Sequence, residues 1–97
     1  MEALFVYGTL KDPAVQQNVI GRVVSIVPDV LECYLKSTIT INGKTYPIIV
    51  PGLGNVEGFV ISVTHDELRL LDEYETSAYK RKKVILKSGR SAWAYQK

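Results

Sequence analysis

The dipeptide Asn42-Gly43 constrains the fold more than any other pair in the chain. It lies between two runs rich in β-formers, Thr38-Ile41 and Lys44-Val50, and both of its residues tolerate the positive φ that a type I′ turn demands. Such a turn ties its flanking strands into an antiparallel hairpin and fixes their register. The segment from Arg22 to Val63 is therefore expected to be mostly sheet. Within it, Pro51-Gly52-Leu53-Gly54-Asn55 predicts a second tight turn, and Gly58 inside Val56-Val63 predicts a bulge or a close backbone approach. Curved or barrel-like closure follows from that pattern.

The flanking segments add two helices and three more strands. Ala3 to Tyr7 is an apolar run closed by Gly8, the pattern of a strand buried on both faces near the middle of a sheet. Asp12-Pro13 reads as an N-cap with proline at the first helical position, and Gly21 stops the helix that runs through Ala14-Ile20. Thr64 and Glu67 form a capping box ahead of a second helix, with Leu68, Leu70, Leu71 and Tyr74 as its apolar stripe and Arg69, Asp72 and Glu73 on its polar side. Tyr79-Leu86, a Ser88-Gly89 turn and Ser91-Tyr95 read as a closing hairpin. Trp93, Tyr34 and Tyr46 are expected to serve packing.

A chain of 97 residues allows one core, so residues 1–97 are read as one domain. Its 46% apolar and 23% charged residues suit a globular protein. A net charge of +2 does not call for a nucleic-acid or membrane partner. Lys80-Arg81-Lys82-Lys83 is expected on an edge strand, where alternation splits the charge between faces. Gly52, Gly54 and Gly58 lack the lysine and hydroxyl residue of a phosphate loop. Cys33 is the sole cysteine, which excludes an intrachain disulfide, fits a reducing cytoplasm, and is read as a core position in a strand. His65 is the sole histidine, expected in solvent at a helix start, and no metal set is expected around it. Glu2 stands where a signal peptide needs positive charge, and the apolar run ending at Gly8 is far shorter than the ~18 residues of a membrane span.

Two features carry chemistry. At about 100° per residue, Glu75 falls between Leu68 and Leu71 on the helical wheel, so a carboxylate continues an apolar stripe. The carbonyl end of a helix and burial both disfavour its ionisation, the conditions that prepare a glutamate for proton transfer near neutral pH. Pattern alone leaves a second reading open, in which Glu75 faces water or pairs with Arg81 or Lys83. The other feature is Tyr7-Gly8-Thr9-Leu10, after a buried strand and before a helix. Successive N–H groups there can cradle a carboxylate or oxyanion, and Gly8 allows close approach, although an ordinary strand-to-helix loop has the same appearance.

Taken together, Phe5-Val6-Tyr7-Gly8-Thr9-Leu10-Lys11, then Leu71-Asp72-Glu73-Tyr74-Glu75 and Tyr79-Lys80-Arg81, resemble the gamma-glutamylcyclotransferase-like superfamily. Tyr46-Pro47, Pro51-Gly52, Val56-Glu57-Gly58-Phe59-Val60 and Ala92-Trp93-Ala94-Tyr95 extend the resemblance over nearly the whole chain. It implies an α+β fold, a small mixed β-barrel with two short flanking helices. It also implies release of 5-oxoproline from a small gamma-glutamyl amide without cofactor or metal. By the same resemblance Glu75 matches the acid/base glutamate, Tyr7, Gly8, Thr9 and Leu10 match the substrate-holding loop, and Tyr79 and Tyr95 line the cavity. The chain departs from the pattern at Thr76, where glycine is common. A non-catalytic domain that keeps the cavity and captures a small ligand stands as the rival reading, and a structural, partner-binding barrel as a third.

Overall fold

The computed structural model describes residues 1–75 and 79–96. Five strands form one sheet: β1 (Glu2–Val6), β2 (Val27–Ile41), β3 (Lys44–Val63), β4 (Lys80–Ile85) and β5 (Ser91–Gln96). The spatial order is β2-β3-β1-β5-β4, with β1 antiparallel to β3 and parallel to β5. The first apolar run thus occupies the centre, and its alternation explains why. Phe5 points to one core cluster and Leu4 and Val6 to the other, so the strand is buried on both faces.

The two clusters define the layers. Phe5, Leu31, Ile49, Val56, Val60, Val84, Ala92 and Ala94 come from all five strands and pack against one another, which requires the sheet to curl around them. On the other face, Leu4, Val6, Ile61, Val63 and Tyr95 are covered by α1 (Pro13–Ile20) and α2 (His65–Glu75) through Val15, Val19, Leu68 and Leu71. The result is the expected α+β architecture, a curled sheet forming a half-barrel with two helices outside it. Among the described residues no helix is long and apolar enough to cross a membrane.

Local chemistry accounts for most boundaries. Asp12 Oδ1 accepts from the Ala14 N–H at 2.8 Å, Pro13 opens α1, and Gly21 ends it at φ 76°. Thr64 Oγ1 accepts from the Glu67 N–H at 3.1 Å while Glu67 Oε1 accepts from the Thr64 N–H at 2.8 Å, which completes the capping box of α2. The same glutamate receives the Arg22 guanidinium at 2.6 and 2.7 Å, and this ion pair holds its carboxyl near pKa 2. Asn42 and Gly43 take φ 51° and 79° between β2 and β3, as a type I′ turn requires. At Gly58 an added Cβ would stand 2.5 Å from Val6 O and 2.7 Å from Phe5 Cζ, so β3 crosses β1 too closely for any side chain there.

Several expectations need correction. Pro51 to Asn55 is not a reversal, since β3 runs through it and pairs with β2 on both sides. Between the pairs Glu32↔Asn55 and Tyr34↔Pro51, residues 52–54 oppose Cys33 alone. The glycines are spent on a bulge that bends the long hairpin. Cys33 sits at this bulge with φ 64°, exposed and outside the core. Leu70 is 44% exposed because it lies nearly opposite Leu68 on the wheel, whereas Asp72, about 40° from Leu68, turns inward instead of joining the polar side. Tyr46 is also exposed and serves the cavity described below, not the core. His65 is exposed at the start of α2, and β4, carrying Lys80 to Lys83, is an edge strand.

Candidate active site

A cavity of about 530 Å³ opens where β1 ends. Its floor is the core itself, from Phe5 and Val6 of β1 to Tyr95 of β5. One wall is Tyr7-Gly8-Thr9-Leu10, which leads into a 3-10 turn at Thr9–Lys11. The opposite wall is the tip of the β2–β3 hairpin, with Ile41, Asn42, Tyr46 and Pro47. The C-terminus of α2 supplies Tyr74 and Glu75, and Tyr79 precedes β4. Every residue expected at the site, Glu75, Tyr7, Gly8, Thr9, Leu10, Tyr79 and Tyr95, lines this one cavity. Thr76 lies outside the described residues.

Glu75 is half-buried and is the one carboxylate among the described residues of the lining. Burial pushes its carboxyl up from 4.5 to about 7. The reading that paired it with Arg81 does not hold, because Arg81 grips Asp72 through Nε at 2.9 Å and Nη2 at 3.0 Å.

The loop is shaped by its own hydrogen bonds. The N–H groups of Lys11 and Asp12 bond to Gly8 O and Thr9 O, and Leu10 O accepts from Gln16 Nε2 at 2.9 Å. Among the described residues, the N–H groups of Gly8, Thr9 and Leu10, which line the cavity, make no hydrogen bond. Thr9 Oγ1 lies 3.3 Å from Tyr74 Oη across the cavity mouth.

Three phenols complete the site. Tyr7 donates to the Tyr95 carbonyl, Tyr95 to Asp72 Oδ1 at 2.7 Å, and Tyr79 to Pro47 O at 2.6 Å. Burial raises all three phenols above their ordinary value, and the nearby Glu75 charge adds to each; for Tyr95 the Asp72 hydrogen bond adds more. They stay neutral at pH 7. Asp72 itself is raised by partial burial but held below the usual carboxylate range by the hydrogen bonds from Arg81 and Tyr95. Sequence reasoning missed Asp72, Tyr46, Tyr74 and the hairpin tip. The wheel position of Asp72 was a usable signal; nothing local announces that a hairpin tip will fold over a loop more than thirty residues away.

The family model for gamma-glutamyl cyclotransferase, AIG2-like, matches residues 4–97. AIG2-like protein C from Arabidopsis thaliana is 42% identical over 83 residues, 84% of this chain and 47% of that protein. AIG2-like protein D from the same plant is 34% identical over 86 residues, 87% of this chain and 55% of that protein. The chain thus spans about half the length of the curated relatives it matches. A solution structure from Arabidopsis thaliana superposes with a TM-score of 0.84 at 31% identity, over 98% of this chain and 61% of that one. A solved gamma-glutamyl cyclotransferase superposes with a TM-score of 0.75 over 98% of this chain and 65% of that one, and at 16% identity this likeness speaks for the fold. Since the match runs through both the loop at Tyr7-Leu10 and the helix end at Glu75, the chain belongs to the AIG2-like gamma-glutamyl cyclotransferase family.

Proposed function

We propose that the protein is a gamma-glutamyl cyclotransferase, releasing 5-oxoproline and a free amine from a small gamma-glutamyl amide, with Glu75 as general base and then general acid. The observation that carries this reading is the Glu75 carboxyl, half-buried and raised by burial to about 7, in one cavity with the loop Tyr7-Gly8-Thr9-Leu10. The substrate supplies its own nucleophile. Glu75 takes a proton from the substrate α-ammonium, and the amine nitrogen attacks the γ-carbonyl carbon, forming the new C–N bond of the five-membered ring. The tetrahedral intermediate then expels the original amine as its C–N bond breaks; Glu75 returns its proton to that leaving nitrogen and then takes the second proton of the ring nitrogen, which it releases to the departing amine, so that a neutral lactam and an ammonium are formed. The N–H groups of Gly8, Thr9 and Leu10 hold the α-carboxylate or the oxyanion, where one positioned donor can lower the barrier by ~2.7–4 kcal/mol. No step calls on a metal or a cofactor, and the lone free cysteine supports a cytoplasmic setting.

The test is 5-oxoproline release from a panel of gamma-glutamyl dipeptides, glutathione and gamma-glutamyl-lysine. The native chain is compared with Glu75→Gln, which keeps shape but cannot transfer a proton. The expected result is release by the native chain and a loss of roughly 10²–10⁴-fold in the folded variant. Equal turnover by the two proteins would remove Glu75 from the mechanism, and silence of the native chain on every substrate would favour the ligand-binding reading.

A further inference from the structure

Backbone groups left unpaired at a sheet edge are a template for another strand unless charge or proline guards them. The edge strand β4 is guarded by Lys80, Arg81, Lys82 and Lys83. The edge strand β2 is bonded by the Lys87 N–H at Val30, but past its bulge, from Lys36 to Thr40, it pairs only with β3 among the described residues. Lys36-Ser37-Thr38-Ile39-Thr40 contains no proline or glycine, Lys36 is its only charge, and every residue but Ile39 is exposed. The Asn42-Gly43 turn fixes which backbone groups face outward. Ile41 and Lys44 flank a two-residue type I′ turn and exchange both hydrogen bonds, after which bonded and non-bonded pairs alternate. Thr40↔Thr45, Thr38↔Pro47 and Lys36↔Ile49 are therefore non-bonded pairs, whose N–H and C=O groups point away from the partner strand. The β3 half of this assignment is visible. Pro47, which has no N–H, turns its carbonyl to the Tyr79 hydroxyl at 2.6 Å, and the Ile49 N–H is turned to the Tyr7 phenol oxygen. The β2 half, the N–H and C=O groups of Lys36, Thr38 and Thr40, faces off the edge of the sheet.

We propose that this edge of β2 pairs with the same edge of a second copy of the chain, antiparallel about a two-fold axis through Thr38, joining two five-stranded sheets into one. The outward groups set the register. With the axis at Thr38, each Thr38 exchanges both backbone hydrogen bonds with its copy, and each Lys36 does so with the copy's Thr40. Side chains agree with this choice. The exposed Leu35 stands opposite Ile41 and Ser37 opposite Ile39 on one face, while Lys36 meets Thr40 on the other, so no lysine faces its mate. An axis at Lys36 would set the two lysines against each other, and an axis at Thr40 would carry Lys36 beyond the Asn42-Gly43 turn. An axis at Ser37 or Ile39 would bring together residues whose backbone groups are already bonded to β3. A second copy fits because the stretch is complementary to itself in the one register that its backbone allows.

The test joins mass to site. Sedimentation of the full chain from about 1 μM to about 1 mM should show the mass rising from one copy towards two. Over the same range, amide hydrogen exchange should slow at Lys36, Thr38 and Thr40 and change little at Ser37, Ile39 and Ile41, whose N–H groups are bonded to β3 in the single copy. Thr38→Pro removes one outward donor and no bond within the chain, as Pro47 already does on the facing strand. Thr38→Lys gives β2 the guard that β4 carries and sets two cations opposite each other at the axis. Each variant, shown to be folded by circular dichroism and thermal melting, should weaken association at least about tenfold. If Thr38→Pro does not fold, Thr38→Lys decides, since its side chain is exposed. A native chain that stays a single copy throughout, its edge left for an extended peptide, overturns the pairing. So does association that leaves exchange at Lys36, Thr38 and Thr40 unchanged, or that survives Thr38→Lys at full strength, because another surface would then carry it.

Discussion

Glu75 is placed to lose stability for the protein whenever it ionises, and this gives its role a signature apart from activity. Its carboxyl is raised from 4.5 to about 7 by burial, so between those values the folded state binds more protons than the unfolded chain. Stability then falls as pH rises through that window and is level above it. The full shift corresponds to at most about 3 kcal/mol, and partial solvent contact reduces the effect to on the order of 1–2 kcal/mol. Urea unfolding of Glu75→Gln against the native chain should show no difference near pH 4 and a more stable variant at pH 8. The same group predicts that kcat/KM rises with pH through an inflection near 7, because the base must be ionised to accept a proton. A native chain whose stability gap to the variant is the same at both pH values would mean that Glu75 is solvated. Asp72, read from the sequence as part of the polar side, stands about 40° from Leu68 on the wheel and turns inward three residues before Glu75. Glu75 stands out because among the described residues no cation forms an ion pair with it. The partners of Asp72 are Arg81 and Tyr95, nine and twenty-three residues away, and only the folded sheet brings them within reach.

At the level of elements, the positions with strong local chemistry were legible and those set by long-range packing were not. Both helix starts, the α1 stop and the Asn42-Gly43 turn are fixed by groups within four residues of one another, so the sequence pattern and the structure agree there. Pro51-Asn55 contains the same residue types as a turn, but neighbouring strand pairs on both sides continue the ladder, and the glycines absorb a bend. Gly58 shows a glycine requirement of another kind. The added Cβ of Gly58→Ala would meet the Val6 carbonyl oxygen at 2.5 Å, and a backbone atom in the central strand cannot swing aside as a side chain does. The substitution should therefore destabilise by about 1–3 kcal/mol or more, the cost of overpacking a tight interior. Chemical denaturation would read this as a lower midpoint with an unchanged slope. A midpoint equal to that of the native chain would mean that β3 and β1 can separate at this crossing.

For the whole molecule, the decisive feature is how far the curled sheet closes. β2 and β4 are its two edges, and they are strapped at one end by the turn that follows β4. The Lys87 N–H donates to Val30 O at 2.8 Å, and Asp29 accepts from Ser88 Oγ at 2.5 Å and from the Ser88 N–H at 3.4 Å. The cavity lies elsewhere, against the hairpin tip, where Tyr79 bonds to Pro47. Closure and chemistry are thus held by separate hydrogen bonds, and a cut at the strap should separate them in an experiment. Asp29→Ala removes the acceptor for Ser88, a change worth about 1–2 kcal/mol for hydrogen bonds at a partly exposed site. Amide hydrogen exchange should then quicken at Lys87 and along the edge of β2, while the amides of β1 in the centre of the sheet exchange only as much faster as the global loss requires. Asp29 does not line the cavity, so the inflection near pH 7 assigned to Glu75 should stay where it is. A strap cut that moved this inflection would show that the burial of Glu75 depends on closure of the whole half-barrel. An unmoved inflection with faster edge exchange would assign its burial to the local packing of α2 against the loop and hairpin tip.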